Sequence, residues 1–196
     1  GDGELTMLSF AKGNRPKEKI VKAEFLPDIN VLPWPARHLI DIYAYQKIGT
    51  NAVVGPNASK EEYVLTSRGC PFKCGFCAQM AISKFRVRYR DENDIIAEMK
   101  FLIERYGINR FYIFDDIFII DKRQVFRVCD KFEELQKTHP FDWHCLARTD
   151  IYDPEIYPRM YKAGCRQVTF GIEHGSDTIL KRIEKGTTRA ENIRSI

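Results

Sequence analysis

The chain has 196 residues, 44% of them hydrophobic and 30% charged, which is ordinary for a soluble globular protein and enough for one domain with a real core. A net charge of +4 is too small to point to nucleic acid. The longest apolar run, residues 111–120, is interrupted by Asp115 and Asp116 and falls well short of the ~20 apolar residues of a membrane span.

The first third carries little periodic pattern. Residues 14–30 are rich in charge, Leu32-Pro-Trp-Pro35 reads as an extended linker, and residues 36–45 read as a short helix. From residue 63 onward, strand and helix alternate. Residues 63–66 form a short β-rich run, and residues 91–106 form a helix with Ile95, Ile96, Met99, Leu102, Ile103 and Tyr106 on one face, stopped by Gly107. A second strand is expected over 110–114. A second helix follows over 122–138, with Val125, Val128, Phe132 and Leu135 inward. The third pair is a strand over 141–147 and a helix over 154–163, which Pro158 should kink or shorten. The fourth pair is a strand over 166–172 and a helix over 176–184, and a further helix starts near Arg189. Repeated strand–helix units imply a parallel sheet with right-handed crossovers, and ligands of such sheets sit at the carboxyl ends of the strands.

The densest chemical signal is Cys70-Pro-Phe-Lys-Cys74-Gly-Phe-Cys77. Gly69, Pro71 and Gly75 punctuate it as a loop, which can wrap three thiolates around one centre. Four cysteines are the usual ligand set of an iron–sulfur cluster, so three would leave one iron open. Three readings compete with a cluster. Cysteines at this spacing could line a helix face, but the proline and glycines make a poor helix. Structural zinc wants four closed ligands, commonly as two separated pairs, and no fourth Cys or His follows closely, while an open catalytic zinc site would take three ligands but three such thiolates are an unusual set for it. A disulfide is disfavoured by the odd local count and by the lack of a recognisable signal peptide. Cys129, Cys145 and Cys165 are scattered and read as buried free thiols in a reducing cytoplasm.

The remaining candidates fall at the other strand ends. Asp115 and Asp116 follow the second strand, Arg148 the third and Glu173 the fourth. Neighbouring residues of a strand point to opposite faces, so at most one of the two aspartates faces the ligand side unless a turn frees both. Their alternative role is capping the segment that follows. Glu173 stands between Gly171 and Gly175, which let backbone approach a ligand, or it is simply solvated. Arg148 could fork onto a carboxylate, or pair with Asp150 or Asp153. Lys84, Arg86, Arg88 and Arg90 read as one solvated strand face, with the lining of an anionic substrate path as the alternative. His174 is open between proton donor and exposed side chain.

Cys-x3-Cys-x2-Cys with an aromatic residue before the last cysteine resembles the signature of the radical S-adenosylmethionine (SAM) superfamily. The resemblance implies a [4Fe-4S] cluster on Cys70, Cys74 and Cys77, whose open iron chelates the amino and carboxylate groups of SAM. One electron then cleaves SAM to methionine and a 5′-deoxyadenosyl radical, which abstracts hydrogen from a substrate. By the same resemblance Phe76 lies against the adenine, Asp115 and Asp116 capture the SAM amino group and Glu173 accepts from the ribose hydroxyls, while the carboxylate open to Arg148 is that of SAM or of an acidic substrate.

The implied fold is a partial (β/α)6 barrel, and with four units read, the core is expected to be incomplete at its carboxyl end. The Asp-Asp pair, in place of the commoner Gly-Gly-Glu, is similar to the cobalamin-associated subgroup. Gly1-Asp-Gly-Glu4 resembles the turn that closes a Rossmann-like cobalamin domain, and the entry Leu32-Pro-Trp-Pro-Ala-Arg37 resembles the same subgroup. The expected organisation is the tail of such a domain over 1–13, a linker and docking helix over 14–60, and the core over 61–196.

Asp142-Trp-His144 has two elements of the cobalamin ligand motif, but Ala147 replaces its glycine and the segment reads as a strand. Any cobalamin is therefore expected through an upstream domain. The implied partners are a small-molecule substrate and an electron donor such as flavodoxin or ferredoxin. The alternatives are a tRNA methylthiotransferase-like enzyme and a non-enzymatic zinc-binding interaction module.

Overall fold

The computed structural model describes residues 25–48 and 60–196. The expected domain tail over 1–13 lies outside the described residues, as do 14–24 and 49–59 of the linker. In chain order the strands are β1 (Glu61–Val64), β2 (Ser67–Arg68), β3 (Arg88–Tyr89), β4 (Arg110–Ile113), β5 (Asp142–Ala147) and β6 (Cys165–Phe170). The helices are α1 (Ile42–Ile48), α2 (Gln79–Ser83), α3 (Glu92–Tyr106), α4 (Lys122–Gln136), α5 (Ile156–Lys162), α6 (Asp177–Arg182) and α7 (Arg189–Arg194). The main sheet has the order β1-β4-β5-β6 and is parallel throughout, the expected α/β arrangement.

The helices start and stop where their side chains dictate. Asp91 accepts from the amides of Asn93 and Asp94 to open α3, and Gly107, at φ 67°, closes it in a left-handed turn. Asp121 opens α4 in the same way on Arg123 and Gln124. Pro158 sits in the first turn of α5, where its missing N–H leaves no bond unmade, so the helix is short and begins at Ile156. Residues 36–45 do not form one helix. A 3-10 turn over Arg37–Leu39 ends at extended Ile40, and α1 starts afresh where Asp41 accepts from the Ala44 amide.

One face of the sheet packs under α3, α4 and α5. Phe111, Phe132 and Trp143 are wholly buried there, edge-to-face at 5.4 Å between Phe132 and Trp143. Each such side chain contributes roughly 2–3 kcal/mol by leaving water. The Trp143 indole N–H donates to Ala163 O at 2.7 Å, which fastens β5 to the end of α5. On the other face Tyr63, Tyr112 and His144 stand in register across β1, β4 and β5, with Tyr112 and His144 stacked at 4.2 Å. His144 is buried and its Nε2 lies 3.0 Å from Glu61 Oε2, so it belongs to a strand, as the sequence implied.

The exposed edge of β1 is covered by arginines. Arg37 donates to Tyr63 O and Arg90 to Leu65 O, each at 2.8 Å, and both guanidiniums meet the buried Glu98 carboxylate of α3 at 2.6 Å. This corrects the reading of residues 84–90 as one solvated strand face. Lys84 and Phe85 adopt left-handed backbone, only Arg88–Tyr89 is strand, and Arg90 turns inward to Glu98.

Because every strand of the main sheet runs the same way, the loops after β1, β4, β5 and β6 gather at one end. That end holds all the sequence candidates.

Candidate functional site

The chain leaves β1 by bending onto a carboxylate. The amides of Thr66 and Ser67 donate to Asp115 Oδ1 at 2.7 and 3.0 Å, and the Ser67 hydroxyl donates to Oδ2 at 2.7 Å. The Thr66 hydroxyl donates to Oδ2 as well. Asp115 is 1% exposed. Burial pushes its carboxyl up, and the Thr66 and Ser67 donors pull against that. Asp116 points the other way, into solvent, and accepts from the Gly69 amide at 3.0 Å and from the Gln79 side chain. The two neighbours therefore diverge, just past the end of β4 at Ile113.

The cysteine loop begins at Gly69. Its φ of 104° is open to glycine, and a Cβ there would overlap Arg86 O. Past the loop, Ser83 of α2 donates to Cys70 O at 3.2 Å and closes the segment. Cys70 is half-buried, Cys74 buried and Cys77 exposed. Burial raises the Cys70 thiol, opposed by a backbone bond from Phe72. The Gln79 amide lies 3.4 Å from Cys77 Sγ, and the Gly75 amide donates to Ile183 O at 2.9 Å. Among the described residues no three His, Cys, Asp or Glu side chains gather on a single ion point. A cubane spreads its thiolates over different irons, so three thiols on one loop suit it as donors for three irons and leave the fourth open.

Arg148 is 3% exposed and fully engaged. Its Nε and Nη2 fork onto Asp150 at 2.9 Å each, Nη2 also donates to Lys185 O at 2.8 Å, and Nη1 lies 3.2 Å from Cys74 Sγ. The Phe72 ring covers the guanidinium at 3.8 Å. Of the two alternative carboxylates, Asp150 is the one it takes.

Glu173 is exposed and held at φ 62°, a backbone region that non-glycine residues rarely enter. Its Oε1 pairs with Lys185 Nζ at 2.9 Å. Lys185 is buried, and Nζ also lies 5.6 Å from the centre of the exposed Phe76 ring. Gly171 lets this pair close, since a Cβ there would stand 2.9 Å from both Glu173 Oε1 and Lys185 Nζ. His174 is exposed, and its Nδ1 accepts from the Ser176 amide at 3.0 Å. Helix α7 braces this end of the sheet, with the Thr149 hydroxyl donating to the buried Asn192 at 2.6 Å. Sequence reasoning missed Lys185, Gln79, Thr66 and Ser67. Each acts through a partner far along the chain, and no local pattern marks them.

The family profile described as Radical SAM superfamily matches residues 64–196. The chain belongs to the radical SAM superfamily of enzymes. This radical SAM chain is 30% identical over 189 residues to the cytidylyl-2-hydroxyethylphosphonate methyltransferase of Streptomyces wedmorensis, covering 93% of this chain and 34% of that protein. It is 27% identical to an uncharacterized methyltransferase of Pyrococcus horikoshii, over 93% of this chain and 36% of that protein. The chain thus spans about a third of the length of these curated relatives.

Among solved structures it is similar to the radical SAM methyltransferase TsrM of Kitasatospora setae. That match has a TM-score of 0.61 and 19% identity, and covers 69% of this chain and 27% of TsrM. TsrM has been solved with tryptophan and the SAM analogue aza-SAM, and separately with cobalamin and a [4Fe-4S] cluster. The likeness establishes the fold. The four-stranded parallel sheet is an arc of a radical SAM barrel, as the alternating pattern implied.

Proposed function

We propose that this chain carries the cluster and SAM site of a radical SAM methyltransferase that uses cobalamin held by a domain outside it. The three cysteines of one loop, stapled at the carboxyl end of a parallel sheet with a guanidinium on one sulfur, carry the reading. Curated relatives named as methyltransferases support the reaction class. TsrM, solved with cobalamin, supports the second cofactor.

In this reading Cys70, Cys74 and Cys77 hold a [4Fe-4S] cluster. When bound, the cluster supplies the electron that cleaves SAM to methionine and a 5′-deoxyadenosyl radical. The chain's own residues orient the cofactor. Phe76 offers an exposed ring to the adenine. Glu173, fixed by Lys185, accepts from the ribose hydroxyls. Asp116 faces the SAM amino group, whereas Asp115 is saturated by Thr66 and Ser67 and shapes the loop. Arg148 is closed off from SAM by its four bonds. The electron donor is a flavodoxin- or ferredoxin-type protein, the substrate a small molecule and the compartment the cytoplasm. No described helix is long and apolar enough to cross a membrane.

The test is anaerobic reconstitution of the whole protein. About four irons with matching sulfide per chain are expected, together with a reduced-cluster EPR signal that shifts on adding SAM. Cys74→Ala should lose that signal while keeping its far-ultraviolet circular dichroism. Zinc without sulfide, or a cluster signal indifferent to SAM, would overturn the proposal.

A further inference from the structure

Arg148 is placed for a task that neither packing nor SAM binding accounts for. Its side chain is anchored by the Asp150 fork, by Lys185 O and by the Phe72 ring. Those contacts satisfy Nε and Nη2 and fix the plane of the guanidinium. They leave Nη1 aimed at one target, Cys74 Sγ, at 3.2 Å. Cys74 is the most buried of the three loop cysteines, and Arg148 is buried with it. A charged donor on sulfur inside a poorly solvated site acts at far greater strength than it would in water.

We infer that Arg148 sets the reduction potential of the cluster by donating a charged hydrogen bond from Nη1 to the Cys74 ligand sulfur. This rests on the cluster assignment above. Reduction adds negative charge to the cluster and its thiolates. A fixed cation hydrogen-bonded to one of them stabilises the reduced state more than the oxidised state, and hydrogen bonds to cluster sulfurs are a recognised determinant of potential. Asp150 moderates the effect, because its carboxylate sits on the opposite side of the same guanidinium. Arg148 and Asp150 thus form a pair in which one residue raises the potential and the other restrains it. Arg148 acts here as a positioning and tuning residue, since it touches a ligand sulfur and no reacting atom of SAM.

The opposed signs supply the test. The whole protein carrying its cluster is titrated with reductant at set potentials, and the reduced fraction is read by EPR. Arg148→Gln should lower the ratio of reduced to oxidised cluster at a fixed potential by tenfold or more, which is ~59 mV for a one-electron couple. Asp150→Asn should move the ratio the other way, because the guanidinium then faces the sulfur without its counter-charge. A loaded Arg148→Gln cluster with an unchanged midpoint would overturn the inference. If Arg148→Gln does not fold or load, Asp150→Asn decides, and a midpoint that is unchanged or more negative counts against the assignment. Failure of the unmodified protein to load iron and sulfide would instead defeat the cluster assignment beneath it. A merely structural Arg148 would alter loading or melting and leave the midpoint of whatever cluster forms in place.

Discussion

The backbone amide and the hydroxyl of Thr66 both end on the Asp115 carboxylate, and Ser67 repeats the pattern one residue later. An aspartate that reads in the sequence as a cofactor contact is thereby the post around which the chain turns from β1 into the cysteine loop.

Asp115→Ala removes the acceptor for two buried amides. The expected cost is about 2–4 kcal/mol in urea unfolding, because each orphaned buried donor carries its own desolvation penalty. Asp115→Asn should cost less than about 1 kcal/mol. Its amide oxygen still serves the two N–H groups, and its NH2 can donate to the Thr66 and Ser67 hydroxyls. Burial already disfavours charge at this position, so losing it removes little. SAM affinity of the Asn variant should be unchanged; a drop matching that of the Ala variant would mean the charge itself contacts SAM.

Asp116→Asn should leave thermal stability within about 0.5 kcal/mol, as befits an exposed side chain. SAM affinity should fall by about tenfold, the loss of one charge-assisted hydrogen bond. Equilibrium dialysis with the loaded protein reads this directly. Undiminished affinity would remove Asp116 from the site.

Gly171→Ala introduces a methyl group 2.9 Å from both members of the Glu173–Lys185 pair. Both atoms are tips of flexible side chains, so the fold should survive with a loss of about 1 kcal/mol. The pair should part, and SAM affinity should fall severalfold in calorimetry. Gly69→Ala is harsher. The added Cβ meets backbone at a φ of 104°, which costs about 1–3 kcal/mol in strain alone, and iron loading should fall with it.

Glu98→Gln breaks the link between the entry segment and the barrel. The buried Arg37 and the half-buried Arg90 then lose their shared carboxylate and keep only Glu62 and Asp94 respectively. Because each guanidinium keeps a second carboxylate, the cost should fall below the ~3–5 kcal/mol of a buried pair left wholly uncompensated. Chemical denaturation should show that loss, and limited proteolysis should open residues 25–40 first. An unchanged digestion pattern would mean that Arg37 does not hold the segment.

Much of the fold was legible because its signals are local. The face of α3 carrying Ile95, Met99 and Leu102, and the face of α4 carrying Val125, Val128 and Phe132, follow from the helical repeat. The exceptions are also physical. Glu98 lies on the buried side of α3, where no periodic pattern foresees a carboxylate, because Arg37 from the remote entry segment and Arg90 from just before the helix neutralise it there. The small β2–β3 ribbon escaped notice because each strand has two residues, too few for alternation to register.

The sequence by itself determined the alternation of the main-sheet strands with the helices that follow them, the loop of three thiols and the placing of every candidate at a strand's carboxyl end. These depend on spacing, turn chemistry and chain direction, which a linear text preserves. Only the tertiary structure decided which of the neighbouring aspartates is buried, that Arg148 turns to a cysteine sulfur and Asp150, and that Lys185 holds Glu173. Those outcomes depend on which distant groups meet and on how deeply each charge is removed from water, and neither quantity exists until the chain has packed.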